Sequence, residues 1–320
     1  MATPLPSTAK RLIVLAAVAL LAAVGYLFVN TGGNLNFALT FRGPKLAALI
    51  LVGWAVAVST VVFHTITGNR ILTPSLMGFD ALYALLQTLL VFALGAVASA
   101  EIPSIVEFLV TTVLMMLLAT ALFSLLLSGR RSVHLLVLVG IVVGTVMRSI
   151  STLLQMIMDP NNLIVLQGRL FATFTGVDES LLGIATVIVG LISVLLWQRR
   201  RTMDVMHLGR DLSICLGVDH RRETVYLLFL VAGLVSVSTA LVGPILFFGL
   251  LVAHLAYLVI GDHHHAVTLP AAGLVAVIAL VAGQGLLEHV FGMGTVLSVI
   301  IEFVGGIVFI VMLVRGRRLA

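Results

Sequence analysis

Uninterrupted apolar runs of about twenty residues, repeated from one end of the chain to the other, constrain this protein more than any other feature. Such runs are long enough to cross the hydrocarbon of a bilayer as helices, whose backbone polar groups are satisfied within the helix. A β-barrel would instead show short segments with alternating apolar and polar residues. Composition separates a membrane protein from a soluble one with a large core. Only 10% of residues are charged and 61% are hydrophobic, with a mean hydropathy of +1.22, against about 25% charged in an ordinary soluble domain. The expected class is an all-α, polytopic membrane protein forming one domain over residues 1–320.

The runs predict about ten transmembrane helices, near 12–30, 44–64, 78–98, 105–128, 133–157, 180–197, 224–242, 245–260, 267–288 and 295–314. The division of 224–260 rests on Gly243-Pro244. An unbroken helix over that range would far exceed a hydrocarbon core about 30 Å thick, and proline ends or starts helices. Lys10 and Arg11 precede the first run, Leu12 to Val29, which is longer than the apolar part of a signal peptide and has no small-x-small cleavage site after it. An uncleaved first span is expected.

Basic residues orient the spans. With the N-terminus in the cytoplasm, Lys10, Arg11, Arg70, Arg130, Arg131, Arg199, Arg200, Arg201, Arg210, Arg221, Arg222, Arg315, Arg317 and Arg318 all fall inside. Only Arg42, Lys45 and Arg169 fall outside, and Arg148 lies within a span. The positive-inside rule favours this topology, with both termini cytoplasmic. The formal charge of +5 then belongs to membrane-facing basic loops in contact with lipid headgroups, and implies no nucleic-acid partner. A single cysteine, Cys215, excludes an internal disulfide and a cysteine metal cluster.

The longest polar stretch, 198–223, is cytoplasmic in this topology. It mixes arginines and acids with Leu208, Leu212, Ile214, Leu216 and Val218, a composition that suits a short amphipathic helix on the membrane face or a solvated basic loop. Chemistry is sparse. There is no G-x-x-x-x-G-K-[ST] phosphate cradle, no H-E-x-x-H and no G-x-S-x-G. His263-His264-His265 is a run of adjacent residues, which project in different directions and seldom converge on one ion. No metal, cofactor or catalytic residue is expected. Polar residues within spans carry more information, because an arginine at a helix centre costs about 2.5–3.5 kcal/mol on insertion scales and usually faces a cavity or partner. Arg148 fits a positive lining for an anionic cargo or a buried structural arginine; His64, Gln87, Gln155, Gln284 and Glu302 pose the same alternative.

Several segments resemble one family. Phe41-Arg42-Gly43-Pro44-Lys45 is similar to the R-x-P-R signature of FecCD-type permeases, which serve ATP-binding-cassette (ABC) importers of iron–siderophores, haem and vitamin B12. HTITGNRILTPSLMGFD (64–80), LGRDLSICLGVD (208–219) and VGPILFFGLLVAHLAYLVIGDHHH (242–265) resemble further family blocks in the same order, over nearly the whole chain. The chain departs from the pattern at His64, where glutamine is common, and at Ala253-His254-Leu255-Ala256-Tyr257, which lacks the proline and arginine of P-H-x-x-R. Segments 69–88, 155–174 and 298–314 look like a branch that pairs with a second, non-identical permease and commonly carries catecholate-type siderophores.

The resemblance implies a type II ABC importer permease fold and a subunit that moves ferric siderophore across the cytoplasmic membrane. It is no enzyme, since ATP hydrolysis resides on partner chains. The implied partners are a second FecCD-type permease, cytoplasmic ATP-binding subunits and an extracytoplasmic siderophore-binding protein. Arg42 and Lys45 correspond to the docking residues for the binding protein. The coupling segment that meets the ATPase corresponds to Gly209–Val218, with Gly209, Arg210, Asp211, Leu216, Gly217 and Val218 as its expected contacts. His64, Arg148 and Gln155 are expected along the translocation path. A secondary transporter would need ionisable coupling residues near the midplane, and a membrane enzyme would need convergent His, Asp and Glu groups; neither pattern is developed here.

Overall fold

A computed structural model describes residues 6–29, 38–127, 133–289 and 296–316. Arg130, Arg131, Arg317 and Arg318 of the orientation argument lie outside these described residues. Among the described residues every regular element is helical. The α-helices are α1 (Pro6–Phe28), α2 (Gly43–Thr67), α3 (Phe79–Ala100), α4 (Ser104–Leu127), α5 (Val133–Met156), α6 (Pro160–Leu170), α7 (Glu179–Gln198), α8 (Arg200–Met206), α9 (Arg210–Cys215), α10 (His220–Val242), α11 (Phe248–Ile260), α12 (His265–His289) and α13 (Leu297–Gly316). Among the described residues, eight helices are long and apolar enough to cross a membrane, and α11 and α13 supply two shorter apolar helices. This is a multi-pass membrane protein.

Burial sorts the spans into a centre and a rim. In α2 and α10 72% of the apolar window is buried, and in α12 61%, against 17% in α5. Helices α2, α10, α11 and α12 pack on one another, α1 covers α12, and α4 and α7 cover α10. Small residues allow this close approach: Ala48, Ala55 and Ala57 of α2 face a core shared with Ala271, Ala272 and Ala276 of α12, all fully buried. Without water between helices, contact of this kind is what holds a membrane bundle together. Helices α3, α5 and α6 form a second group. The outer faces of α5 and α13, including Val142, Val146, Leu153, Phe303 and Ile310, are exposed and apolar.

Two of the spans are broken. Helix α10 ends at Val242 and α11 begins only at Phe248, as Gly243-Pro244 requires. Its 13 residues span about 20 Å, short of a hydrocarbon core of about 30 Å. Gly243 has φ +98°, and a Cβ there would come within 2.9 Å of the Ala172 Cα, so both conformation and space demand glycine. The freed Val242 carbonyl accepts the Thr173 amide at 2.8 Å. In α3 the helix is interrupted at Gly95. The Ala96 N–H that this kink frees donates to Asn162 Oδ1 of α6 at 2.8 Å, so irregular backbone at membrane depth is satisfied by protein.

The polar segments fold into helices that the hydropathy pattern did not separate. Asp159 accepts the Asn161 amide at the start of α6, with Pro160 in the first turn. Asp178 caps α7 through Ser180 and Asp219 caps α10 through Arg222. Each is an acid with a side-chain oxygen aimed at a free helical N–H, an arrangement the helix dipole also favours.

Candidate coupling and translocation sites

On the side of the bundle that carries most of the basic residues, α8 and α9 make a short protrusion. Gly209, at φ +99°, separates them, and Gly217, at φ +86°, ends the second. Ser213 is fully buried; its hydroxyl donates to the Arg210 carbonyl at 2.7 Å and lies 2.9 Å from His220 Nδ1. The Val218 amide closes the turn on the Ser213 carbonyl. With Ser213 turned inward, Leu208, Leu212, Ile214 and Leu216 are turned outward and lie half or more exposed. Arg210, Asp211 and Gly217 are also exposed. Apolar side chains exposed together on a polar protrusion suit contact with another protein or with the membrane face.

This protrusion is fastened to the bundle by one acid. Asp204 Oδ1 accepts both the backbone N–H and the ring Nδ1–H of His265, each at 2.7 Å. His265 Nε2 in turn meets the Thr65 hydroxyl at 2.6 Å. Helix α8 is thus tied to the first residue of α12 and to the end of α2. Met203 and Met206 bury against the same place. Partial burial raises the Asp204 carboxyl, but the two His265 hydrogen bonds outweigh it and hold the group below the usual carboxylate range. The histidine run divides accordingly. His265 is buried in this lock, and His263 approaches Arg70 at 3.2 Å. His264 is exposed and pairs with Asp262 at 2.7 Å, which raises its ring above the ordinary histidine value.

On the opposite side, Arg42 Nη1 donates to the Tyr26 and Val29 carbonyls at the end of α1, at 2.8 and 2.7 Å. Lys45 Nζ lies 2.6 Å from Glu288 Oε1, with side-chain exposures of only 12% and 9%. The Tyr26 hydroxyl and Gln284 Nε2 donate to the same carboxylate oxygen. Both basic residues of the expected docking motif therefore also join α1, α2 and α12. Arg169 pairs with Glu107 at 2.6 Å and donates to Gln87 Oε1 and to the Ser99 carbonyl, so it holds α6 to α3 and α4.

The residues expected along a translocation path separate. His64 is buried between α2 and α11, where its Nδ1 meets the Tyr257 hydroxyl at 3.1 Å and its ring approaches that of His254. Gln155 is half-buried and donates to the Thr88 hydroxyl at 3.3 Å. Arg148 alone of the three is exposed, on the outer face of α5. The sequence reading missed Asp204, Glu288 and Asp80. A lone acid beside an apolar run was the available signal for each, but its partner lies far along the chain.

A model of the FecCD transport family matches residues 12–315. The chain belongs to the FecCD transport family. It is therefore a transport permease of the ABC importer class rather than an enzyme, and ATP hydrolysis resides on a separate subunit. The petrobactin import system permease protein YclO of Bacillus subtilis (strain 168) is 41% identical over 294 residues, 92% of this chain and 93% of that protein. The petrobactin import system permease protein FatC of Bacillus anthracis is 35% identical over 314 residues, 96% of this chain and 89% of that protein. A solved structure described as an inward-facing metal-chelate type ABC transporter superposes with a TM-score of 0.82 at 22% identity, covering 96% of this chain and 99% of that one. The superposition agrees with the all-α polytopic fold seen here.

Proposed function

We propose that this FecCD permease is the membrane half of an importer that carries a ferric siderophore of the petrobactin kind into the cytoplasm. The similarity to two petrobactin import permeases over nine-tenths of the chain carries this reading. The N-terminus and the α8–α9 protrusion face the cytoplasm of the cell membrane, as the arginines of 199–222 favour. There the exposed Leu212, Ile214 and Leu216, flanked by Arg210 and Asp211, seat in the ATP-binding subunit. The Asp204–His265 lock passes the movement of that subunit to α12 and α2.

A second, non-identical permease covers the apolar faces of α5 and α13, and the path runs between the two chains. The siderophore-binding protein docks on the opposite side, at Arg42 and Lys45. Acids of the binding protein then compete with Glu288 for Lys45, so docking is coupled to the contact between α2 and α12.

The test is reconstitution. This chain is co-purified with its companion permease, ATPase and binding protein, and uptake of radioiron petrobactin into proteoliposomes is measured with and without ATP. ATP-dependent uptake supports the proposal. Uptake driven by an ion gradient without ATP, or a chain that purifies alone as a stable monomer, would sink it.

A further inference from the structure

Arg148 lies within a membrane span. Helix α5 runs Val133–Met156, which places Arg148 about 12 Å from its C-terminal end and about 22 Å from its N-terminal end at 1.5 Å per residue. Beside it on the helix lie Thr145, Ser151, Thr152 and Gln155, with the exposed apolar Val142, Val146, Ile150 and Leu153 further round. Facing lipid, an arginine there would be unfavourable. Among the described residues its guanidinium has neither an ion pair nor a side-chain hydrogen bond.

The structure also shows why the guanidinium sits where it does. Segment 68–78 is helical only over Ser75–Met77 and folds back into the bundle. Thr73, Pro74 and Ser75 line a small cavity with Ser59 and Thr60 of α2, and Thr60 is about 10 Å along α2 from its end. Gly78, at φ +106°, packs against Gly144 of α5 so closely that a Cβ on Gly78 would lie 3.3 Å from the Gly144 Cα. Arg148 is one turn beyond Gly144, and its Nη2 lies over this crossing, 3.7 Å from the position a Gly144 Cβ would take. Asp80, two residues past Gly78, is thereby carried into the bundle interior. It is 6% exposed, and the Ser75 hydroxyl is the hydrogen-bonding neighbour of its carboxylate. Arg148 and Glu302 of α13 are the charges within its electrostatic reach. Glu302 meets the Leu246 amide, in the segment between α10 and α11.

An arginine without an ion pair and a buried carboxylate thus sit on adjoining helices within the membrane, at the edge of the face that lacks a cover in this chain. A buried carboxylate inside a membrane bundle is costly and marks a functional site by default. We propose that Arg148 is the specificity-determining charge of the translocation path, that it meets an anionic metal chelate as the chelate crosses the membrane, and that Asp80 and Glu302 set how strongly it does so. This rests on the importer reading.

The chemistry defines the probes. A ferric tris-catecholate is net trianionic, because three dianions surround a trivalent ion, whereas a ferric tris-hydroxamate is net neutral. Uptake of both radioiron complexes is measured in proteoliposomes holding the complete importer with wild type, Arg148→Gln, Arg148→Lys and Asp80→Asn. Arg148→Gln is expected to lower the ratio of anionic to neutral uptake at least tenfold, with binding-protein-stimulated ATP hydrolysis retained. Arg148→Lys restores part of it, through charge without the fork. Asp80→Asn moves the ratio the opposite way, because a competing negative charge is gone; a purely structural role would not reverse sign.

An unchanged ratio in Arg148→Gln overturns the inference. So does failure of both Arg148 variants to assemble with the second permease, which would mean that an acid of the partner chain pairs the arginine. A wild-type complex that prefers the neutral chelate also overturns it while leaving the importer standing. A wild-type complex that moves ferric petrobactin but neither probe overturns the inference alone, and one that moves none of the three overturns both.

Discussion

Removal of the Asp204 carboxylate is the sharpest test of how the protrusion is fastened. Asp204→Ala deprives the buried His265 of the one oxygen that accepts from both its backbone N–H and its ring. A hydrogen bond to a charged group contributes about 1.5–3 kcal/mol, and a buried N–H left without a partner costs about 1–3 kcal/mol. The Asp204 side chain is 26% exposed, so water can reach part of the site and the upper end of that range is discounted. About 3 kcal/mol remains, equivalent to about a hundredfold in the equilibrium between fastened and loose α8. Cys215, the sole cysteine, is exposed at the end of α9, which allows a spin label to be attached there alone. Asp204→Ala is expected to mobilise that label and to lower the thermal midpoint in detergent by several degrees. Asp204→Asn, which keeps the accepting oxygen but loses the charge, should fall between the two. A label spectrum and midpoint unchanged in Asp204→Ala would refute the assignment of this contact as the fastening.

Acidity offers a second check on the same lock. Asp204 is held below the usual carboxylate range, so its contribution is complete above about pH 3.9 and is lost only as the pH falls through the lowered value; label mobility should be flat from neutral down to that point. His264 behaves oppositely: its ring is raised by Asp262, so that contact is complete below about pH 6.5 and fades as the pH rises through the raised value, which an NMR titration of the ring would follow. Gly243→Ala should lower the thermal midpoint, since φ +98° and a 2.9 Å approach to Ala172 together oppose any side chain, at about 1–3 kcal/mol for the backbone alone. Replacing Leu212, Ile214 and Leu216 together by serine should leave that midpoint within error, because all three are exposed, yet abolish co-purification of the ATP-binding subunit. Glu288→Gln should release Lys45 from its 2.6 Å pair and tighten binding-protein docking in a surface-binding assay; weaker docking would show that Glu288 shapes that surface instead.

Hydropathy alone determined that the chain is a helical membrane protein and roughly where its spans lie, because hydrocarbon tolerates almost no other backbone arrangement. It also located the break at Gly243-Pro244, since one helix of that length cannot fit the bilayer. The polar stretch 198–223 was visible as a separate element, and the order of the family-like segments pointed to the function before any coordinates.

Tertiary structure decided the partners. Lys45 and Glu288, Asp204 and His265, and Arg169 and Glu107 lie tens to hundreds of residues apart, and nothing local announces which acid meets which base. It also separated three path candidates that look alike in sequence. His64 turned inward onto Tyr257, Gln155 bonded to Thr88, and Arg148 stayed on the open face. The depth of Asp80 was likewise invisible, because a residue at the start of an apolar run reads as interfacial until the preceding segment is seen to fold back into the membrane. Span number follows from the solvent, which acts on every residue alike; side-chain pairing follows from where the spans pack, and that is a property of the assembled bundle.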